Sequence, residues 1–457
     1  MAAWTKRLLG KAPEDPIFTS DMLRRLLIPL LLEQALVVAI GMMDTMMVSS
    51  CGEASVSGVS LVDSINNLLI QVFSALCTGG AVVTSQFLGK RDIRSAGDSA
   101  KQLFYAALGS SVLIMVFCLV LRRALLSLIF GSIEDSVMQA AQVYFLMTAL
   151  SYPFLAGYSA SAALLRSQGN TKYTLYISLV MNIVNVAGNA VTIFGLGMGA
   201  AGAGLATLIS RVVGDIMGRM ALRQPGSQIP APVLHELEWK PDLIQKILRV
   251  GIPNGLENGL FQLGKLLLLS MVATFGTASV AANAVGSTIA GFQCLPGNAF
   301  SLAMITVVGQ CVGARRYDQA TYYTKKLMLL VYLTMGSWNL LILACNGFIC
   351  KPFNLSPETE QLARLIAAIH GAGCVFFWPM SFVLPNSLRA AGDAAFTMRI
   401  STLSMLVFRI FFGYLMGMTL GMGVIGVWLA MQIDWYLRIL HFVLRFRSGK
   451  WKTKTLV

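Results

Sequence analysis

The chain has 457 residues, of which 56% are hydrophobic and only 12% are charged. A soluble core cannot bury that much apolar surface, so the composition excludes an ordinary globular protein and indicates a protein embedded in lipid. The net charge of +14 is of a size also found in nucleic-acid-binding proteins. Here the basic residues are spread over the loops between apolar runs, so they indicate membrane topology and attraction to anionic lipid, with no nucleic-acid partner.

Twelve apolar runs long enough to cross a bilayer follow one another along the chain. They are spans 1 to 12, predicted at 28–50, 56–84, 102–121, 138–160, 173–194, 202–221, 252–275, 280–308, 327–345, 361–384, 400–419 and 424–444. The predicted fold class is all-α and integral to the membrane, with two homologous six-helix lobes around a central cleft. The predicted domains are an N-lobe at 1–224, a proline-containing cytoplasmic linker at 225–241 and a C-lobe at 242–457.

Basic residues are concentrated in the loops on one side of the predicted spans. The alternate loops carry only Arg122, Arg123 and Lys351. This asymmetry predicts a multi-pass protein of the inner or plasma membrane with both termini in the cytoplasm. The eight cysteines show no CxxC or CxxxH spacing, so they are interpreted as small packing residues and no metal site is predicted from them.

The two halves of the chain repeat each other at an offset of 224 residues. Pro29 and Glu33 in span 1 recur as Pro253 and Glu257 in span 7. With six spans each, the halves have the same orientation, and two parallel lobes with a central polar pathway are typical of transporters that work by alternating access. A channel or an inert helical bundle is the alternative.

Ionisable side chains inside a membrane are costly, and those that remain are candidates for a functional site. The candidates singled out within the predicted spans are Glu33, Asp44, Glu257, Lys265, His370 and Arg409. Asp44 has no basic residue within one helical turn, so it is predicted to hold a proton or to recruit a cation. Either behaviour couples the protein to an ion gradient, whereas a carboxyl group capped only for packing is the alternative.

Span 5 contains polar side chains that suit such an ion site. Asn185 and Asn189 are four residues apart and share one helix face, and Thr207 in span 6 is close enough in sequence to join them. Amide and hydroxyl oxygens beside a carboxylate suit Na⁺, which makes Asp44 the predicted metal ligand if sodium is the coupling ion. Interhelical hydrogen bonding is the alternative role for each of these residues.

The two repeated glutamates each follow a proline by four residues, at a point where proline bends or opens a helix. This repeated position favours a structural or gating role, and pairing with loop arginines is the preferred interpretation for Glu33. Glu257 has Lys265 two turns further along roughly the same face, so an ion pair is expected there. Arg409 is the other candidate partner of Glu257.

Taken together, the motifs resemble the multidrug and toxic compound extrusion (MATE) family. The resemblance covers twelve spans in two halves and the Met-Asp-Thr sequence at Asp44. It also covers a Leu-Arg-x-x-Gly-Asn/Asp motif at Leu165 and Leu388 and the glycine-rich segment Gly199–Thr207. It implies secondary antiport of cationic or amphipathic small molecules against Na⁺ or H⁺, by a protein that is not an enzyme and has no cofactor besides the coupling ion. The chain is expected to act as a monomer.

Carried over to this sequence, the resemblance makes Asp44 the cation-coupling aspartate of the first lobe, with Asn185 and Thr207 as its helpers. The sequence departs from the family at Asn189, where relatives with a fully acidic site have aspartate. It departs again in the second lobe, where the acid of NorM-like members would fall near Phe261, and span 10 lacks an acid, with Phe376-Phe377-Trp378-Pro379-Met380 there.

Two other functions are compatible with parts of the sequence. A lipid-linked oligosaccharide flippase of the same superfamily needs a strongly cationic cavity, whereas Lys265 and Arg409 are the basic candidates singled out within the spans. A membrane enzyme is disfavoured because His235, His370 and His441 have no paired-ligand spacing and no Gly-x-Ser-x-Gly motif is present. The sequence leaves the exact substrates and the choice between Na⁺ and H⁺ open.

Overall fold

The computed structural model describes residues 9–131, 134–230, 238–353 and 355–457, and this part of the chain is helical with no strand. Nine of its helices are long and apolar enough to cross a membrane, and a bent helix pair makes a tenth. The two remaining predicted spans, 4 and 7, also fall on helices. The all-α integral membrane fold class is therefore confirmed. Residues 231–237, which include His235 and part of the predicted linker, lie outside the described residues.

The first half of the chain supplies spans 1 to 6. Their observed bounds are Ser20–Ser49, Glu53–Gly89, Ile93–Phe130, Asp135–Leu150 with Tyr152–Ser167, Thr171–Asn189 and Gly199–Leu222. Span 4 is two helices because Pro153, in the first turn of the second, has no backbone N–H to continue the helical ladder. Span 5 continues beyond Asn189 into a wider π-helical segment, Ala190–Gly195.

The second half supplies spans 7 to 12. Their observed bounds are Pro241–Ala273, Thr277–Gly313, Tyr317–Ala344, Pro357–Phe376 with Pro379–Ala390, Ala394–Thr419 and Gly423–Arg447. Span 10 bends by 64° between its two helices. Pro379 follows this break directly and accounts for it, since its nitrogen cannot donate a helical hydrogen bond. Span 11 contains two π-helical segments, Ser404–Ile410 and Leu415–Thr419.

Two compact units make up the chain. One unit, the N-terminal unit, contains Arg24–Gly255. The other, the C-terminal unit, contains Leu256–Val457 together with the beginning of the chain up to Leu23. Spans 1 and 7 each pass from one unit to the other, close to Pro29 and Pro253, and both prolines lie inside helices that continue past them.

The first described residues are attached to the C-terminal unit by hydrogen bonds. The backbone N–H of Ile17 donates to Oε1 of Gln319 at 2.9 Å, and the hydroxyl of Tyr323 donates to the carbonyl of Phe18 at 2.6 Å. These contacts satisfy backbone groups that no helix satisfies. The segment before span 1 is therefore ordered by span 9, which lies some 300 residues later in the chain.

In the N-terminal unit, the beginning of span 7 crosses span 2 in close contact. A Cβ atom at Gly79 would collide with the carbonyl oxygen of Ile247 and would lie 2.9 Å from the backbone nitrogen of Gly251. Only glycine allows two helix backbones to approach this closely. The crossing fixes the first part of span 7 against the N-terminal unit.

Candidate functional site

The four residues predicted to couple an ion form one chain of side-chain hydrogen bonds in the N-terminal unit. Asn189 Nδ2 donates to Asp44 Oδ1 at 2.5 Å and to Asn185 Oδ1 at 3.3 Å. Asn185 Nδ2 in turn donates to Thr207 Oγ1 at 3.4 Å. Spans 1, 5 and 6 therefore meet at these side chains. Their role in ion coupling stays a prediction.

Small residues bring span 6 close enough to span 5 for this contact. A Cβ atom at Gly188 would lie 2.9 Å from the Cβ of Ala206, and one at Gly202 would lie 2.9 Å from Oγ1 of Thr192. The helix widens to π geometry directly after Asn189, a distortion often found at functional sites. The two amides thus lie just before an irregular stretch of helix that packs against glycine-rich span 6.

The amide oxygen of Asn189 is buried and has no hydrogen-bond partner among the described residues. Both hydrogens of its amide nitrogen are already used, by Asp44 and Asn185. A buried acceptor without a partner is uncommon, and it indicates a group that is available to bind a ligand. Next to a carboxylate, that ligand is a proton-bearing group or a cation.

Two further charged residues, which the sequence analysis did not identify, belong to the same region. Asp63 in span 2 accepts a hydrogen bond from the hydroxyl of Tyr144 at 3.0 Å and one from the amide of Asn66 at 3.2 Å. Arg211 in span 6 donates to Ser151 Oγ at 2.6 Å. Both are within electrostatic range of Asp44. The N-terminal unit thus holds two neighbouring carboxylates with one arginine nearby.

The repeated glutamates both pair with the arginine of the Leu-Arg-x-x-Gly motif of their own half. Arg166 Nη1 lies 3.0 Å from Glu33 Oε1, and Thr174 donates to the other carboxylate oxygen at 2.7 Å. Arg389 Nη2 lies 2.7 Å from both oxygens of Glu257. The interpretation of Glu33 as the partner of an arginine near the cytoplasmic end agrees with this geometry, and Glu257 repeats it.

The expected ion pair between Glu257 and Lys265 is wrong, and so is the alternative with Arg409. Glu257 lies 2.7 Å from Arg389 and 3.6 Å from Arg438. A guanidinium nitrogen in contact with both carboxylate oxygens satisfies Glu257 better than an ammonium two helical turns away. Arg389 is 132 residues from Glu257 in the chain, so no spacing within one helix indicates this pair.

Lys265 and Arg409 instead lie on the same aromatic ring in the C-terminal unit. The Lys265 ammonium and the Arg409 guanidinium are each 5.1 Å from the ring centroid of Phe261. Arg409 is also 4.0 Å from the buried carboxylate of Asp434, which accepts a hydrogen bond from Ser404. Lys265 has no ion pair among the described residues, so the attraction of a cation to the ring face is its main contact.

His370 is buried between two tryptophan rings in the C-terminal unit. The ring centroids of Trp428 and Trp435 lie 5.6 and 5.4 Å from that of His370, both edge to face. Its Nδ1 is 2.6 Å from Gln293 Oε1 and 3.5 Å from Cys374 Sγ. Cys294 completes a cluster whose possible ligand atoms all lie within 4.8 Å of one another.

The interpretation of all eight cysteines as packing residues is therefore incomplete. His370 and Cys374 are four residues apart on one helix, which is a metal-ligand spacing read in the reverse order. Cys294 comes from another span, about 80 residues earlier, so no local sequence pattern could have included it.

The fold and these sites define a multi-pass membrane protein with polar groups gathered inside two helical units, the class to which transporters belong. The MatE family model matches residues 29–191 and again 253–415. The chain therefore belongs to the MatE family, whose members are transporters and not enzymes. The two matched segments have the same offset as the internal repeat.

Related proteins extend over nearly the full length of the chain. The transporter YisQ of Bacillus subtilis is 29% identical, with 97% of each chain covered. The probable multidrug resistance protein NorM of Thermotoga maritima is 24% identical, with 97% of this chain and 95% of the relative covered. The fold is also that of a solved MATE family transporter of the MOP superfamily in an outward-facing conformation, with a TM-score of 0.88, 20% identity and 98% of each chain covered.

Proposed function

We propose that this transporter is a secondary antiporter that exports cationic or amphipathic small molecules in exchange for Na⁺ or H⁺ by alternating access. The observation that carries the proposal is the contact of Asp44 with Asn189. The carboxylate accepts the amide N–H at 2.5 Å while the amide oxygen stays buried without a partner. The amide oxygen of Asn189 and the carboxylate of Asp44 can therefore bind a proton or a cation.

Both candidate ions fit this capacity. Ionised Asp44 accepts the amide N–H, whereas protonated Asp44 is a donor that the amide oxygen of Asn189 accepts after rotation of the amide. A sodium ion instead uses the carboxylate with the oxygens of Asn185, Asn189 and Thr207, since Na⁺ is a hard cation that prefers oxygen ligands. Each ion removes negative charge from Asp44.

Loss of that charge is what couples the ion to the substrate. A cationic substrate is held more strongly when Asp44 and Asp63 are ionised, and a bound proton or Na⁺ weakens that attraction. The two ligands therefore have a positive, unfavourable coupling free energy, which by linkage acts equally in both directions. Entry of the ion releases the substrate, and this competition is the chemical basis of exchange.

The substrate class and the location follow from the family and the composition. The name of the Thermotoga maritima relative, probable multidrug resistance protein, supports drug-like substrates. The 24 methionines supply adaptable apolar surface for molecules of varied shape. We place the protein in the inner or plasma membrane as a monomer with both termini in the cytoplasm, surrounded by lipid and with no cofactor besides the coupling ion.

The experiment is efflux of a fluorescent cationic dye from proteoliposomes in which a Na⁺ gradient and an H⁺ gradient are imposed separately. We expect the wild-type protein to respond to one of the two gradients. Asp44→Asn is expected to remain folded but to lose the response, because an amide can neither bind a proton at this site nor neutralise Na⁺.

Asp215→Asn is the matched control. Asp215 is also a buried carboxylate of a membrane span, but it pairs with Arg219 at 2.9 Å and has no contact with Asp44. It should retain gradient-driven efflux. Equal transport by the wild type and Asp44→Asn would remove Asp44 from the mechanism, and transport unaffected by either gradient would exclude antiport.

The flippase is the second candidate. Arg389 and Arg438 join Lys265 and Arg409 as cations within the C-terminal unit, which raises its positive charge above the sequence-based expectation. Three of the four cations, however, have a carboxylate within 4.0 Å. Because Arg389 and Arg438 share Glu257, the four cations exceed their two carboxylates by two charges. Two charges fall short of the strongly cationic cavity that a pyrophosphate needs, so the antiporter is the better proposal.

A further inference from the structure

Cys294, His370 and Cys374 form a cluster of metal-binding side chains in the C-terminal unit. Cys294 is on span 8, and the other two are one turn apart on span 10. Their ligand atoms all lie within 4.8 Å of one another, and Cys374 Sγ is 3.5 Å from His370 Nδ1. In a tetrahedral zinc site with ordinary bond lengths, sulfur and nitrogen ligands lie roughly 3.6 Å apart. The donors already have nearly the separation that a metal ion imposes.

The surroundings of the cluster hold the histidine ring in place. Trp428 and Trp435 pack edge to face on the ring. Gln293 donates its amide N–H to the carbonyl of Ala367 at 3.0 Å, which turns its oxygen toward His370 Nδ1 at 2.6 Å. This contact engages Nδ1, the same nitrogen that faces Cys374, so a metal ion bound at Nδ1 displaces the hydrogen bond to Gln293. His370 is 4% exposed, so little ordering remains to be supplied when a ligand binds.

The identity of the donors selects the kind of ion. Two thiols and one imidazole suit a borderline or soft cation such as Zn²⁺, whereas Na⁺, Mg²⁺ and Ca²⁺ prefer oxygen. Two thiolates also neutralise a divalent ion completely, which lowers the cost of placing the site in a membrane. Cys294 is partly exposed, whereas Cys374 is buried, so Cys294 is the side from which an ion can enter.

We propose that Cys294, His370 and Cys374 bind a thiophilic divalent cation of the zinc class and thereby link span 8 to span 10 inside the C-terminal unit. Binding displaces the thiol protons, so the site binds more tightly as the pH rises. The site shares no residue with Asp44 and its neighbours. It is therefore independent of the proposed ion exchange.

The experiment titrates the full chain, purified in detergent with reduced cysteines, first with Co²⁺ and then with Zn²⁺. We expect a single Co²⁺ ion to give a thiolate-to-cobalt charge-transfer band that Zn²⁺ abolishes. Cys294→Ser and His370→Gln should lose the band. Cys311→Ser is the matched control, since Cys311 is buried on the same span but outside the cluster, and it should keep the band.

A second measurement covers the case in which a buried variant folds poorly. Zn²⁺ should raise the unfolding temperature of the wild type and of Cys311→Ser but not that of Cys294→Ser, whose side chain is partly exposed. No charge-transfer band in the reduced wild type, or an unchanged band in Cys294→Ser, would overturn the proposal. So would a Cys294–Cys374 disulfide that forms despite excess Zn²⁺, seen as the loss of two free thiols.

Discussion

Asn189 uses both of its amide hydrogens, on Asp44 and on Asn185, while its oxygen stays without a partner in the described part of the chain. Asn189→Asp therefore exchanges the donor at Asp44 for a second carboxyl group. Two acids at hydrogen-bond distance cannot both ionise freely, so they share a proton or hold a cation more tightly. We expect the fold to be retained and the dependence of efflux on pH or Na⁺ to change.

Efflux from proteoliposomes over a range of pH and Na⁺ concentration measures this change. Asn189→Ala removes the same hydrogen bonds without adding charge, so it separates the effect of charge from that of a lost contact. Identical pH and Na⁺ dependence in the wild type and Asn189→Asp would show that Asn189 and Asp44 do not act as one site.

Glu257 and Arg389 form a buried ion pair in which one guanidinium nitrogen contacts both carboxylate oxygens, so the removal of either charge leaves the other without its partner. Glu257→Gln or Arg389→Gln is expected to cost about 3–5 kcal/mol of stability, and the double variant should recover part of that loss. Recovery is incomplete because Arg438 also lies 3.6 Å from Glu257. Thermal unfolding of the purified variants in detergent measures these differences.

Lys265→Met is the control for this pair. Lys265 contacts the ring of Phe261 and has no ion pair among the described residues, so its loss should cost about 1 kcal/mol or less. If Lys265→Met restored the stability of Glu257→Gln better than Arg389→Gln does, the observed pairing would be contradicted.

Local patterns in the sequence predicted one part of the polar interior and missed the other. Asn185 and Asn189 were predicted to share a face because they are four apart, and Thr207 is on the next span. Asp63 and Arg211 lie inside predicted spans 2 and 6, so the criterion of an ionisable residue within a span applies to them as well. Only their contacts with Tyr144 and Ser151, 81 and 60 residues away, could not be predicted from local patterns. Spacing within a helix is fixed by its period, whereas contacts between distant spans depend on packing that one sequence does not encode locally.

At the scale of whole elements, every predicted span falls on helix, because a run of about 20 apolar residues has few other stable structures in lipid. The interruption at Ser151, the π-helical segments and the 64° bend in span 10 were not predicted. Hydropathy predicts the length of a span, but it does not show where the i to i+4 hydrogen bonds of the helix are interrupted or replaced by π-helical ones. Proline marks two of these irregularities, and the π-helical segment after Asn189 has no marker in the sequence.

The crossing of spans 2 and 7 gives a prediction at the element scale. Gly79→Ala places a Cβ atom against the backbone at Ile247 and Gly251, where no side chain can move aside. We expect a loss of about 1–3 kcal/mol, because the helices must separate to relieve the overlap. The unfolding temperature in detergent is the readout.

Gly109→Ala in span 3 is the matched control, since a Cβ atom there meets nothing within 4 Å. Alanine is the better helix former in that setting, with an advantage of about 0.5–1 kcal/mol. The same unfolding temperature for both variants would show that the close crossing does not limit stability.

At the scale of the whole molecule, the polar group around Asp44 in the N-terminal unit and the one around Glu257 and Asp434 in the C-terminal unit differ in the sign of their net charge. The N-terminal unit places Asp44 and Asp63 near a single arginine, Arg211. In the C-terminal unit two carboxylates face four cations, namely Lys265, Arg389, Arg409 and Arg438. A cationic substrate is therefore attracted by the N-terminal unit, and the cations of the C-terminal unit oppose its binding there.

The predicted topology can be tested with cysteines that the chain already has. Cys51 and Cys345 follow spans 1 and 9, on the side predicted to be extracellular, and Cys345 is exposed. A membrane-impermeant maleimide should label intact cells that produce the wild type but not the Cys51→Ser/Cys345→Ser double variant. Ser448→Cys in the double variant, near the carboxyl terminus, should react only after permeabilisation. Labelling of Ser448→Cys in intact cells would reverse the orientation.

The glutamate–arginine pair has the same place in both halves, as Glu33 with Arg166 and as Glu257 with Arg389. Parsimony assigns such a shared pair to a six-span ancestor that existed before its gene was duplicated and fused. The deeper polar groups are not shared, since Leu268 and Gly413 occupy the positions that correspond to Asp44 and Asn189 at the 224-residue offset. The salt bridge is thus the inherited feature. The carboxylates of Asp44 and Asp63 in one copy and the thiols of Cys294 and Cys374 in the other arose when the two copies diverged.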